Sequence, residues 1–340
     1  MPERLGSIVS ENNERLLTLP FSGNLQTPGG GVNLYTDLND LQLGQEGKEN
    51  VLEGMIPGWR VGAQPGEESA SLFLLDHGER AFFFDEETMI ASLLGRREDF
   101  MDGQAVGWIS YWMMEAQRQG KSLFTLHASA LTIANKGILL LGHSGSGKTS
   151  VMLDLCRKHN GEVLSNDLTI VGHDRSSGQM ALVEGTRKIG LRLSSIAKNF
   201  PDLNYLFPAQ AGSAWETKTV VTPEQIGLHS SSEPNTLDAI FEIHVDSKEQ
   251  DPLLVQREDG IPIHYRMYED MSRIVRGSAI SVFGSTADFL GYMPSLDTES
   301  RQNNRVECIN QMVKKNGVVS VSGGNLDEIS ETIYELISAN

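Results

Sequence analysis

The chain has 340 residues, 39% hydrophobic and 21% charged, a composition that supports a buried core in one large domain or two ordinary ones. Asp and Glu number 45 against 28 Lys and Arg; the net charge of −17 repels polyanions and excludes nucleic acid and acidic membrane surfaces as expected partners. Two cysteines, Cys156 and Cys308, are too few for a disulfide framework and lack metal-ligand spacing, so that class is excluded as well.

Residues 1–35 carry Pro20, Gly23, Pro28 and Gly29-Gly30-Gly31 and read as an irregular arm or loop-rich edge. Met1-Pro2-Glu3-Arg4-Leu5 lacks the basic-then-apolar order of a secretory signal. No later apolar run approaches the ~18 residues of a spanning helix, so the expectation is a cytoplasmic protein with no membrane partner. From 36 to 100, short apolar stretches such as 71–75 and 81–84 alternate with turn residues, as in a small α+β unit. Residues 104–119 have helical period; their Trp108, Tyr111, Trp112 and Met113 read as core packing. The first domain is therefore expected over 1–120 and the second over 121–340.

The second domain opens with two apolar strands, 123–133 and 138–141, joined by Asn135-Lys136-Gly137 as an antiparallel hairpin. The second strand runs into Gly142-His143-Ser144-Gly145-Ser146-Gly147-Lys148-Thr149, which satisfies G-x-x-x-x-G-K-[ST]. Residues 150–156 follow with helical period, the inner face including Cys156. Strand, glycine turn and helix start together gather backbone N–H groups and a positive helix end around one anion. The motif thus makes Gly142 through Ser150 the expected ATP contacts, with Lys148 reaching the β- and γ-phosphates and the Thr149 hydroxyl on Mg²⁺. In a chain of net charge −17, such a site must concentrate its cations locally.

Further along, 161–167 reads as a strand ending in polar residues, and 168–171 with 179–183 as a hairpin. Another strand is expected at 239–245, helices at 265–276 and 304–315, a strand at 318–322, and a closing helix from 325 to 338 with Asn325 as its cap. Asp167 ends the first strand after the loop's helix, where a carboxylate holds Mg²⁺ or its water shell. Asn166 beside it can ligate metal or donate a hydrogen bond but cannot accept a proton as a carboxylate does. His127, followed by the small residues Ala128, Ser129 and Ala130, reads either as a satisfied core histidine on a strand or as a group above the phosphate site. Arg187, Lys188 and Arg192 form a basic cluster suited to a transferred phosphoryl group or an acidic acceptor, with solvated surface charge as the alternative. Lys218 and the pair Arg273 and Arg276 are weaker cases of the same kind. Val321-Ser322-Gly323-Gly324 imitates an ABC-type signature, but only a helix follows it, so it reads as a strand-to-helix turn.

His127-Ala128-Ser129, the glycine loop and Leu164-Ser165-Asn166-Asp167 follow one another as in the C-terminal domain of HPr kinase/phosphorylase, and over 123–195 the chain resembles that family and its phosphoenolpyruvate-carboxykinase-related neighbours. The resemblance implies an α/β fold with a P-loop-containing mixed sheet beside a small α+β N-terminal domain. It makes Lys148 the phosphate lysine, Thr149 the metal ligand, Asp167 the second of an acidic pair and His127 the family histidine. Asn166 stands where the family has the first aspartate, its general base, so Asp167 or His127 would take the proton. Arg192 or Lys188 would neutralise charge on the transferred group. The resemblance implies an ATP- and Mg²⁺-dependent kinase acting on a hydroxyl of a small molecule or peptide serine, able to assemble with copies of itself. A nucleotide-binding regulatory module without transfer is the alternative that Asn166 keeps open.

Overall fold

The computed structural model describes residues 15–16, 18–38, 41, 51–174, 178–208, 213–231, 235–246, 251–258, 260–278 and 293–339. They form a mixed α/β fold in two compact units, Met1–Phe124 with Met271–Arg305, and Thr125–Asp270 with Val306–Asn340. Where the sequence suggested one boundary at 120, the chain returns to the first unit over 271–305.

In the first unit, strands β1 (Phe21–Thr27), β2 (Gly30–Thr36), β3 (Arg60–Gly62), β4 (Ala70–Asp76), β5 (Ala81–Asp85) and β6 (Ile90–Gly95) make a sheet of order β3-β1-β2-β4-β6-β5. Helices α1 (Val51–Met55) and α2 (Gln104–Gly120) complete it. The expected irregular arm is corrected over 21–36, which is an antiparallel hairpin burying Leu25, Val32 and Leu34; residues 1–14 lie outside the described residues. The glycines there mark close packing instead of irregularity. A Cβ on Gly30 would stand 2.7 Å from the Met114 carbonyl oxygen of α2. The return of 271–305 is secured by a buried polar chain. Gln119 donates to the Met271 carbonyl at 2.6 Å and accepts from Arg305 at 2.6 Å, and Arg305 pairs with Asp297 at 2.6 Å.

The second unit is built on a ten-stranded sheet. Its strands are β7 (Leu123–Leu126), β8 (Ser129–Ile133), β9 (Lys136–Leu141), β10 (Glu162–Ser165), β11 (Thr169–Asp174) and β12 (Gln179–Gly185), then β15 (His229–Ser230), β16 (Asn235–Val245), β17 (Leu254–Glu258) and β18 (Val318–Gly323). The order is β15-β10-β8-β9-β16-β12-β11-β7, with β18 beside the second half of β16 and β17 beyond it. A separate ladder pairs β13 (Ile189–Arg192) with β14 (Lys218–Val221). Strand β9 lies mid-sheet, antiparallel to β8 and parallel to β16, and is buried from Gly137 to Leu141 as a strand covered on both faces should be.

The helices are α3 (Lys148–His159), α4 (Leu193–Asn199), α5 (Ile261–Ser272), α6 (Glu299–Asn316) and α7 (Leu326–Ser338). Val151, Met152, Leu155 and Cys156 of α3 share one core with Ile329, Ile333 and Ile337 of α7. Burial pushes the Cys156 thiol up to about 12, which keeps it an inert packing group. Helix α7 starts as its sequence announces, the Asn325 side chain accepting from Asp327 N and Glu328 N. Among the described residues no helix is long and apolar enough to cross a membrane.

Candidate functional site

Strand β9 ends at Leu141 and α3 begins at Lys148, with residues 142–147 turning between them. Gly142, Gly145 and Gly147 take φ values of 147°, 83° and 96°, a region that side chains other than glycine occupy at a cost. Space forbids substitution too, since a Cβ on Gly147 would fall 2.3 Å from Val245 Cγ2. The loop is tied to β16 by Val245 N donating to the Ser146 carbonyl at 2.8 Å. His143, Ser144 and Gly145 form an exposed tip, while Ser146 is buried and its Oγ has no hydrogen-bond partner among the described residues.

Lys148 folds back under this loop, its Nζ donating to the Gly142 carbonyl at 2.7 Å and the His143 carbonyl at 3.0 Å. Burial lowers its pKa from 10.5 to about 8, with Asp167 and Asp270 opposing that shift and Arg266 adding to it. Arg266 on α5 is ion-paired with Glu242, which sits on β16 opposite Leu141. Its guanidinium is also the main cause holding His143 below the ordinary histidine range, followed by burial, Lys148 and His244. Sequence reasoning missed Arg266 and Asp270. They stand four residues apart on an anticipated helix, a legible charge pair, but nothing local links that helix to the loop.

A group of three side chains and a pair lie beside the loop. The Asn166 amide oxygen accepts from Thr149 Oγ1 at 3.0 Å and from Ser129 Oγ at 3.2 Å. Asp167 instead faces His127, with Oδ1 3.4 Å from Nδ1. Asn166, expected as a metal ligand or weak phosphate contact, is thus the residue hydrogen-bonded to Thr149. Asp167, expected on the metal with Thr149, lies beside His127. Asp167 has φ 76°, a left-handed conformation that residues other than glycine adopt at a cost. His127 is likewise not on a strand. It occupies a bend between β7, which pairs with β11, and β8, which pairs with β9 and β10; Ala128 N bonds the Asp167 carbonyl there at 3.1 Å.

The basic cluster divides. Arg187 pairs with Glu184 at 3.3 Å on the surface, and Lys188 is half-buried beside it. Arg192 lies over the Trp215 ring, 4.6 Å from its centroid, and donates to the Trp215 carbonyl at 2.9 Å. Lys218 is its exposed cross-strand partner in the β13–β14 ladder. The Trp215 Cη2 atom in turn stands 3.8 Å from where a Cβ on Gly145 would be, which brings Arg192 to the loop through the indole. Ser150, expected among the ATP contacts, pairs with Ser195 at 2.8 Å, below the loop. Arg273 and Arg276 group with the first unit, where Arg276 stands 3.8 Å from Asp297.

Among the described residues no group of three or more His, Cys, Asp or Glu is placed to hold a metal ion. The groups beside the loop that could receive one are oxygen donors: the Thr149 hydroxyl, the Asn166 amide oxygen and the Asp167 carboxylate. That set fits Mg²⁺, a hard cation that keeps several waters and shares its sphere with phosphate oxygens. The buried Ser146 Oγ, without a hydrogen-bond partner among the described residues, likewise suits a loop that wraps an anion.

No family model and no curated protein matches the chain. Among solved structures it is similar to the HPr(Ser) kinase/phosphatase from Coxiella burnetii, with 12% identity and a TM-score of 0.30, over 63% of this chain and 94% of that chain.

Proposed function

We propose that the chain is an ATP- and Mg²⁺-dependent phosphotransferase acting on a hydroxyl of a small molecule or peptide serine. The observation that carries this reading is the buried Lys148 ammonium, bonded to two carbonyls of the glycine loop that caps α3. An ammonium hydrogen-bonded to main-chain carbonyls beneath an exposed loop tip is poised to exchange them for phosphate oxygens. The amides of the loop and the first turn of α3 receive the β- and γ-phosphates. Thr149 and Asn166 hold Mg²⁺, with Asp167 near its water shell. His127 and Asp167, 3.4 Å apart, form the proton-accepting pair. Aspartate keeps the imidazole oriented and stabilises the imidazolium that forms when the acceptor hydroxyl is deprotonated. Catalysis is positioning plus electrostatics.

Incubation with γ-labelled ATP, Mg²⁺ and a mixture of metabolites and serine peptides is expected to label a new species. Lys148→Ala should reduce transfer at least about a thousandfold, ~4 kcal/mol of barrier; undiminished transfer in that variant rules the reading out.

One observation favours a second reading, a nucleotide-binding regulatory module without transfer. Thr149 is bonded to a neutral amide, which brings no charge to a cation and accepts no proton. ATP binding with neither label transfer nor hydrolysis supports this module over the kinase.

A further inference from the structure

Trp215 is 60% exposed, although an indole burying its ~150–250 Å² is among the largest single gains in apolar contact available to a fold. Its setting is built, not slack. Thr217 N and Glu216 N both close onto the Ser213 carbonyl, at 2.9 and 3.0 Å. The same turn is stitched to the start of α4 by Ser194 N on the Ala214 carbonyl and Leu193 N on the Thr217 carbonyl, each 3.0 Å. Arg192 then fixes the ring, stacking 4.6 Å from its centroid while its Nη1 holds the Trp215 carbonyl at 2.9 Å. The far edge of the ring, Cη2, lies 3.8 Å from where a Cβ on Gly145, in the exposed tip of the glycine loop, would stand.

We infer that Trp215, braced by Arg192, is the stacking platform for the planar base of the nucleotide whose phosphates the glycine loop receives, an inference that rests on the function proposed above. A base tethered to phosphates in the loop must find a surface within one sugar of it, and the indole edge lies 3.8 Å from where a Cβ on Gly145 would stand. Every base has a π-face, so a single tryptophan serves without hydrogen-bond readout. Arg192 stacks from one side, which leaves the exposed remainder of the indole for the ligand. Lys218, opposite Arg192 in the ladder, adds a second cation at the same rim. The solvent exposure of Trp215 is what such a platform requires.

Calorimetry with ATP and with inorganic tripolyphosphate, both with Mg²⁺, separates the base from the tail. The wild type is expected to bind both. Trp215→Ala should weaken ATP about tenfold while leaving tripolyphosphate unaffected, and Trp215→Phe should retain most of the ATP affinity because a ring is kept. Melting temperatures of both variants should match the wild type, since the side chain is exposed. Equal weakening of the two ligands by Trp215→Ala, or none, overturns the inference while leaving the glycine loop's role standing. A wild type that takes up neither ligand overturns the inference and the proposed function together.

Discussion

Lys148 couples ionisation to both stability and binding, with opposite signs. Its pKa falls from 10.5 in the unfolded chain to about 8 in the fold. Between those values the unfolded chain holds a proton that the fold has released, so this group makes stability rise with pH from about 8 upward. Phosphate favours the charged amine, so nucleotide affinity should fall over the same rise in pH. Parallel titrations of melting temperature and ATP affinity between pH 7 and 10 test this; affinity that holds level through that range removes Lys148 from the phosphate site. Asn166 gives a second residue-scale test. Its amide oxygen already accepts two hydroxyl hydrogen bonds, a role that carboxylate oxygens also fill. Asn166→Asp should therefore fold normally and bind Mg²⁺-ATP more tightly. Weaker metal dependence in that variant would place the cation elsewhere. Asp167 shows what is being kept at this position. Held at φ 76°, it costs about 1 kcal/mol that glycine would avoid. Asp167→Gly should raise stability slightly while losing transfer, seen as a higher melting temperature beside a lower rate.

At the scale of elements, the decisive unit is β9, loop and α3. Gly147→Ala is expected to displace the loop, because its Cβ would lie 2.3 Å from Val245 Cγ2 and its φ is 96°. Stability should drop by more than ~1 kcal/mol and nucleotide uptake should vanish, read by urea titration and calorimetry on the same material. Asn325→Ala, by contrast, should cost only ~0.5–2 kcal/mol at the start of α7 with binding intact. This strand-turn-helix was legible because its signals are local: an apolar run, glycines at turn positions and a helical period. The hairpins 129–141 and 169–185 and the Asn325 cap were legible on the same ground. The β1–β2 hairpin was not, since Gly29-Gly30-Gly31 reads as irregular until α2 is seen lying against it. Trp215, Arg266 and Asp270 reach the loop from segments 50 or more residues away in sequence, and nothing in their own neighbourhoods announces that approach. The break of the 123–133 run at His127 also depends on a distant partner, the Asp167 carbonyl.

For the whole molecule, charge and connectivity set the behaviour. With a net charge of −17 opposing an anionic ligand outside the site's own cations, screening should speed ATP association as ionic strength rises from about 0.02 to 0.2 M. Stopped-flow traces that slow instead would mean the local cations govern the approach. The division of the chain was only partly readable. Composition marks two units, but the membership of 271–305 in the first depends on Gln119 meeting Met271 and Arg305, contacts more than 150 residues apart in sequence. Gln119→Ala should cost ~1–3 kcal/mol, because Arg305 loses an acceptor in a dry interior. The return of 271–305 also bears on synthesis. A chain emerging from its N-terminus delivers the glycine loop well before the residues that finish the first unit, so that unit stays incomplete on the ribosome until residue 305 is out. Nascent chains arrested at 270 should leave the 1–124 portion open to protease, and those extended until residue 305 has left the ribosome should close it.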